Sequence, residues 1–223
     1  MKPKGRRQFL KDTAVTGAVL AGAAASMGFF KKIGHSTTSS TAMAADLPLR
    51  PPGALDEDEY LTRCTRCMRC IDACPNQALL PLDDSFGSES VGTPAIKARR
   101  QACMLCNKIE GDYLKCGEAC PTGAIRKVEK TADDILSMVS MGIAKIDHEL
   151  CYSYNNWSCG ACIRACPLYG QAMTFGMWER PIVHEEFCVG CGLCERACIR
   201  YPQAIRVKVD ANGKHGREGS ARS

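Results

Sequence analysis

Cys64-Thr65-Arg66-Cys67-Met68-Arg69-Cys70-Ile71-Asp72-Ala73-Cys74-Pro75 is the stretch from which the fold of this chain is read. Its spacing, Cys-x2-Cys-x2-Cys-x3-Cys-Pro, suits a [4Fe-4S] cluster. Two intervening residues let a tight loop wrap one cubane with three sulfurs, and the next three make a short helical turn that Pro75 stops. The residue before a proline is pushed to extended geometry, so the chain turns away at Cys74 and that thiolate points at a second, neighbouring cluster.

Three more quartets follow, and together the four use all 16 cysteines of the 223-residue chain. The second is Cys103-x2-Cys106-x9-Cys116-x3-Cys120-Pro121, the third Cys151-x7-Cys159-x2-Cys162-x3-Cys166-Pro167, and the fourth Cys188-x2-Cys191-x2-Cys194-x3-Cys198. The first and fourth are regular, while the middle two carry an inserted loop. Each is followed by a small residue and an apolar run: Ala78-Leu79-Leu80, Ala124-Ile125, Ala172-Met173 and Ala204-Ile205. That is a repeated supersecondary unit. The predicted fold is α+β: two ferredoxin-like units of the bacterial 2[4Fe-4S] kind, four clusters, small strands and short helices with long loops. All sixteen cysteines are the expected iron ligands. The motif segments are 64–80, 103–128, 151–176 and 188–209, preceded by an extended lead-in at 45–63 and followed by a polar, glycine-rich tail, 210–223, expected to be disordered.

Other uses of cysteine fit less well. Zinc ribbons pair Cys-x2-Cys units across a finger, without a third cysteine two residues on or a closing Cys-Pro. A Cys-x2-Cys-x2-Cys run places thiols too close along the chain for unstrained disulfides within the motif. No His follows a pair as haem attachment requires. The Cys-x3-Cys-x2-Cys triplet of radical-generating sites is absent. With four protein thiolates per cluster there is no open iron site. No nucleophile, acid/base pair or phosphate loop accompanies the cysteines, so an electron-transfer protein rather than an enzyme is expected.

Only 6% of the residues are aromatic, which leaves a thin core. Clusters must substitute for it, and the apoprotein is expected to be largely unfolded. The N-terminus reads Arg6-Arg7-Gln8-Phe9-Leu10-Lys11, then an Ala/Gly/Val-rich run from Ala14 to Phe30, then Ala42-Met43-Ala44. This resembles a twin-arginine export signal over 1–44, with cleavage expected after Ala44 in preference to a retained anchor. Folded export would let clusters be inserted in a reducing cytoplasm before the thiols meet an oxidising periplasm. Seven of the 29 basic but one of the 24 acidic residues lie in 1–44, so the remainder is close to neutral and bound clusters would make it acidic. No basic stripe with interleaved aromatics points to nucleic acid.

Between the quartets, Asp56 to Tyr60 starts a short helix before Cys64, 83–94 is a polar loop, Thr131 caps a helix beginning near Asp134, and Ile143–Ile146 and Pro181–Val183 are strands. Tyr152, Tyr154 and Trp157 lie inside the third quartet, where they either cover a cluster or simply pack. Lys108, Glu110, Asp112 and Lys115 read as a solvated loop. His148, His184 and His215 are expected to be surface or packing residues, and His35 leaves with the signal.

The export signal, Arg50-Pro51-Pro52-Gly53-Ala54-Leu55, Gly92-Thr93-Pro94, the spaced third quartet with Cys166-Pro167-Leu168, and Cys188-Val189-Gly190-Cys191-Gly192 together resemble the NapG/MauM group of ferredoxin-type proteins over nearly the whole chain. The nine-residue insert before Cys116 is longer than the group's pattern, yet Cys116 has no rival as third ligand. The resemblance implies a periplasmic polyferredoxin that works with a membrane partner, through which it can be peripherally attached. It would pass electrons from a quinol-oxidising membrane ferredoxin of the NapH type toward periplasmic nitrate reductase or its donors. Alternatives are a MauM-type protein or the iron-sulfur subunit of another exported oxidoreductase, and a maturation or assembly factor whose clusters are structural.

In two-cluster ferredoxins the fourth cysteine of one motif ligates the cluster held by its partner motif. Adjacent pairing joins the first quartet to the second and the third to the fourth; nested pairing joins first to fourth and second to third. Nested pairing is expected, since it makes one symmetrical unit of the two regular quartets and resembles the iron-sulfur subunits of molybdenum reductases. It would place Cys74 with Cys188, Cys191 and Cys194, and Cys198 with Cys64, Cys67 and Cys70. Cys120 would join Cys151, Cys159 and Cys162, and Cys166 would join Cys103, Cys106 and Cys116.

Overall fold

A repeat of cysteine spacing becomes a repeat of backbone. In the first, third and fourth quartets the residue after the second cysteine is left-handed: Met68 (φ 63°), Gly160 (φ 58°) and Gly192 (φ 82°). It turns the chain sharply between the second and third thiols. Glycine takes this conformation freely, whereas Met68 does so at a cost of about 1–2 kcal/mol. About one turn of helix then carries the third cysteine. The second quartet departs from this because its insert separates Cys106 from Cys116, and the helical turn there begins from extended Leu114.

The computed structural model describes residues 47–209, which belong to one compact unit. The export signal, its cleavage site, His35, the tail and His215 lie outside the described residues. The element order is α1 (Glu57–Arg63), α2 (Arg69–Asp72), β1 (Leu79–Pro81), β2 (Pro94–Ile96), α3 (Lys115–Glu118), α4 (Ala132–Met138), β3 (Ile143–Ile146), α5 (Ala161–Arg164), β4 (Met173–Phe175), β5 (Pro181–Val183), α6 (Leu193–Ala197) and β6 (Ile205–Lys208). Sequence signals account for most of them. Glu57, Asp58 and Glu59 complement the amide end of α1 and Arg63 its carbonyl end. The Thr131 hydroxyl accepts from the Asp134 amide at 3.1 Å, capping α4. The polar loop 83–94 holds two 3-10 turns, Asp84–Phe86 and Ser88–Ser90.

The strands form three two-stranded antiparallel ribbons: β1 with β2, β4 with β5, and β3 with β6 in the register Ile143↔Lys208 to Ile146↔Ile205. The first half has its own counterpart of the β3–β6 pair. Ala54 bridges Ile125, the Leu55 amide donates to Ala124 O at 3.1 Å, and the Arg126 amide donates to Gly53 O at 2.8 Å. Residues 53–55 of the lead-in thus form an edge of the first ferredoxin-like unit. The small-apolar pairs after each quartet are all buried: Ala78 and Leu79, Ala124 and Ile125, Ala172 and Met173, Ala204 and Ile205. Between the halves, Ile135, Val139 and Met141 share one core with Tyr60, Leu114, Val128 and Val189.

Arg50 is the most demanding residue of this fold, because its side chain is fully buried. Its guanidinium forms a two-pronged ion pair with Glu57, donates from Nη1 to Thr93 Oγ1 at 2.8 Å and to Pro94 O at 3.1 Å, and stacks 4.7 Å from the Tyr60 ring centroid. The Tyr60 hydroxyl donates to the same Pro94 carbonyl at 3.3 Å. So the lead-in, α1 and β2 are held by one cation. Removing one partner of a buried pair leaves an uncompensated charge. Glu57→Ala should therefore destabilise the iron-loaded protein by about 3–5 kcal/mol in anaerobic denaturant unfolding, and a loss under 1 kcal/mol would contradict this role for the pair.

Candidate metal centre: four cysteine cages

The sixteen cysteines gather as four groups of four. Cage A is made by Cys64, Cys67, Cys70 and Cys120, and cage B by Cys74, Cys103, Cys106 and Cys116. Cage C is made by Cys166, Cys188, Cys191 and Cys194, and cage D by Cys151, Cys159, Cys162 and Cys198. Each rings a concavity with 320 to 370 Å³ of atom-free space, lined mostly by apolar groups. The sequence-predicted ligands are all brought together, and in every cage three thiols come from one quartet and the fourth from another.

The pairing is adjacent, which corrects the nested expectation. Cys120, not Cys198, completes the group of Cys64, Cys67 and Cys70; Cys74 joins Cys103, Cys106 and Cys116 rather than Cys188, Cys191 and Cys194. Likewise Cys198 joins Cys151, Cys159 and Cys162, and Cys166 joins Cys188, Cys191 and Cys194. The physical reason is connection length. Hairpin β1–β2 returns the chain directly from the first quartet to the second, and α2 packs against α3; hairpin β4–β5 does the same for the third and fourth, where α5 packs against α6. Regular spacing makes two quartets look alike, but it does not make them neighbours.

Burial and mutual repulsion set the electrostatics of the cages. Burial, followed by the nearby Cys64, Cys120 and Cys67, pushes the Cys70 thiol up to about 12. Burial, with Cys151, Cys159 and Cys198 around it, raises Cys162 to about 12, and burial is again the main cause of the rise to about 12 at Cys191. The thiols would give up these protons on binding iron, whose positive charge would offset the crowding of four thiolates. Cys120 runs the other way. Burial raises it, but the Ile125 amide at 3.5 Å, the Thr122 hydroxyl at 3.7 Å from its sulfur and the Thr122 and Gly123 amides together outweigh this and bring it below its ordinary value. Amides also reach Cys74 Sγ from Ala78 (3.3 Å), Cys103 Sγ from Leu105 (3.4 Å) and Cys106 Sγ from Lys115 (3.5 Å). The donor set of four thiolates spread around an apolar cavity, with amides aimed at sulfur, fits a [4Fe-4S] cluster. A single ion fits less well: among the described residues no three Cys, His, Asp or Glu side chains converge on one point.

Known proteins agree with this chemistry. A 4Fe-4S dicluster domain profile matches residues 63–124, spanning the first and second quartets, and a 4Fe-4S binding domain profile matches 149–174 and 185–199. Ferredoxin-type protein NapG of Escherichia coli (strain K12) is 34% identical over 218 residues, covering 92% of this chain and 87% of that protein. Methylamine utilization ferredoxin-type protein MauM of Paracoccus denitrificans (strain Pd 1222) is also 34% identical, with 91% and 89% covered. Ferredoxin-type protein NapF of Escherichia coli (strain K12) is 27% identical over 53% of the chain. The chain belongs to the NapG/MauM family. It is thus an iron-sulfur electron-transfer protein.

In this NapG/MauM protein the cages follow one another in a row. Cys116 of cage B feels the charge of Cys70 in cage A, and Cys194 of cage C feels Cys162 in cage D. In the middle, Cys103 of cage B feels Cys191 of cage C, to whose carbonyl its amide donates at 2.9 Å. The order is therefore A, B, C, D.

Several side chains take roles that the sequence left open. Tyr152 lines cage D, Trp157 is 71% exposed, and Tyr154 packs. The Tyr154 ring stacks on His148 with centroids 3.9 Å apart, and its hydroxyl donates to Pro181 O at 3.1 Å. His184 Nε2 is 2.9 Å from Thr174 Oγ1. Lys108, Glu110 and Asp112 are exposed, and Lys115 pairs with Glu118 at 2.8 Å. Tyr60 and Arg200 escaped the sequence reading as cage residues: Tyr60 lines cage A, with its hydroxyl pushed far up by burial and then by Cys64, and Arg200 lines cage D.

The cage assignment predicts how serine substitutions group. Cys120→Ser and Cys67→Ser should change one EPR signal, and Cys74→Ser and Cys106→Ser another. A signal shared by Cys74→Ser and Cys191→Ser would contradict adjacent pairing.

Proposed function

We propose that this chain is an exported polyferredoxin that relays single electrons along four [4Fe-4S] clusters, from a membrane-bound, quinol-linked ferredoxin partner of the NapH kind toward periplasmic nitrate reductase. The row of four cages carries this reading. A [4Fe-4S] cluster with four thiolate ligands supplies reversible one-electron transfer without ligand exchange. The sixteen cysteines would hold the clusters, cage A through Cys64, Cys67, Cys70 and Cys120 and the others as grouped above. The apolar linings keep water away, and the amides at Cys74, Cys103, Cys106 and Cys120 steady negative charge on sulfur. The two ends of the row reach the surface. Cys67 of cage A is the exposed cysteine among the described residues, and Ile199 beside Cys198 in cage D is 68% exposed. A donor and an acceptor could thus engage opposite ends.

Among the described residues no helix is long and apolar enough to cross a membrane; the membrane partner is proposed from the family resemblance. The twin-arginine-like run at Arg6 and Arg7 supports delivery of the folded, loaded protein to the periplasm. A second reading has equal support in identity: a MauM-type role in methylamine utilisation, given the matched 34%.

Anaerobically purified protein should carry about sixteen iron and sixteen sulfide per chain; stoichiometric zinc with little iron would sink the proposal. Deleting the gene should slow quinol-linked nitrate reduction in cells and spare dye-linked nitrate reductase activity. Survival of both activities contradicts the nitrate branch, and loss of both favours maturation. Replacing Arg6 and Arg7 by Lys should strand loaded protein in the cytoplasm, whereas unimpaired export would remove the twin-arginine assignment.

A further inference from the structure

Cage D holds two buried polar atoms for which the protein supplies no partner. Among the described residues, the buried side-chain nitrogen and oxygen atoms without a hydrogen bond are Ser153 Oγ and Arg200 Nε. Both residues line the same concavity as Cys151, Cys159, Cys162 and Cys198. Native structures seldom leave a buried hydroxyl or guanidinium N–H unpaired, and two in one cavity ask for a common acceptor. Their positions are fixed from behind. Ser153 is 1% exposed, sits in the 3-10 turn Tyr152–Asn155, and its carbonyl accepts from Arg180 Nε at 3.3 Å. The Arg200 guanidinium lies 5.1 Å from the Tyr152 ring centroid, and its Nη1 donates to the Tyr152 hydroxyl at 3.4 Å. Arginine has no acceptor atom, so Nε–H can only donate. The Tyr152 hydroxyl already accepts from Nη1 and the Ser153 hydroxyl makes no hydrogen bond with it, so the remaining side-chain acceptors of this cavity are the thiolate sulfurs and the sulfur of whatever they bind.

We propose that Ser153 Oγ–H and Arg200 Nε–H donate hydrogen bonds to sulfur of the cluster bound in cage D, raising its reduction potential above that of the cluster in cage C. Hydrogen bonds to sulfur stabilise the more negative, reduced state and so shift the potential upward. The guanidinium charge acts in the same direction. Cage C provides the contrast within the molecule. Beyond its cysteines it is lined by residues such as Ala144, Leu168, Met173, Val189 and Val207, with no polar side chain. An electron that reaches cage C from the middle of the row therefore runs on to cage D, which makes D the resting site at that end. Ser153 and Arg200 thus tune the potential of cage D, and the inference rests on the cages holding clusters as proposed above.

The test is an anaerobic redox titration of the iron-loaded protein followed by EPR, the cage D signal being the one that Cys159→Ser alters. Ser153→Ala and Arg200→Lys should each lower the midpoint of that signal by about tenfold in its reduction equilibrium, about 59 mV for a one-electron couple, and leave the other signals in place. Arg200→Lys keeps the charge and removes the Nε donor, and Ser153→Thr, which keeps a hydroxyl, should restore the wild-type value. Should a variant lose iron, the wild-type protein decides. After transfer to deuterated water, hyperfine spectroscopy should show exchangeable protons coupled to the reduced cage D cluster, and their absence overturns the proposal. An unchanged midpoint in both variants at full iron content also overturns it. Low iron in the wild-type protein would instead overturn the cluster assignment itself.

Discussion

Four buried thiols that share one cavity repel one another as thiolates, and this constraint shapes the rest of the molecule. Cys70 and Cys162 are each surrounded by the other three cysteines of their cage, and burial compounds the effect. A cationic iron core is the group that makes such a gathering favourable. The protein contributes the geometry: left-handed residues at Met68, Gly160 and Gly192, a helical turn behind each, and small-apolar pairs that seal the floor. With so few large side chains, bound metal would supply stabilisation that a larger domain draws from its core.

Much of this was legible in the sequence, because the chemistry is local. Spacings of two and three residues determine which thiols can face one centre, and the strands Ile143–Ile146 and Pro181–Val183 and the capped helix after Thr131 follow from signals within a few residues. The choice between nested and adjacent pairing was not local. It depends on which quartets the hairpins bring together, and Leu79–Pro81 with Pro94–Ile96 decides that through backbone pairing that cysteine spacing does not encode. The family pattern already held part of the answer: Arg50 and the Thr93-Pro94 pair, 43 residues apart in sequence, meet in one buried hydrogen-bond network. Tyr152 and Trp157 illustrate the other limit. They lie in the same insert, yet one lines a cage and the other faces solvent, a difference set by the turn that carries them.

Adjacent pairing also gives the molecule its direction. Each half is a two-cage unit, and the halves join through the middle cages, where the Cys103 amide meets the Cys191 carbonyl and Gly192 lies against Ala98 so closely that a Cβ would stand 2.6 Å from the Ala98 Cβ. A nested arrangement would have built each unit from distant segments. The row instead has two ends of different character: arginines at 63, 66 and 69 flank the loop of cage A, while the exposed large apolar residues fall mostly in the second half, including Trp157, Met177, Trp178, Ile199 and Tyr201. Different surfaces at the two ends suit different partners.

The central claim is that four separate cages each hold one redox-active cluster. Coulometric reduction of the anaerobic, iron-loaded protein tests it most directly. The account predicts uptake of about four electrons per chain, one for each four-thiolate cluster. Uptake of about two electrons, or none, by fully iron-loaded protein would contradict it.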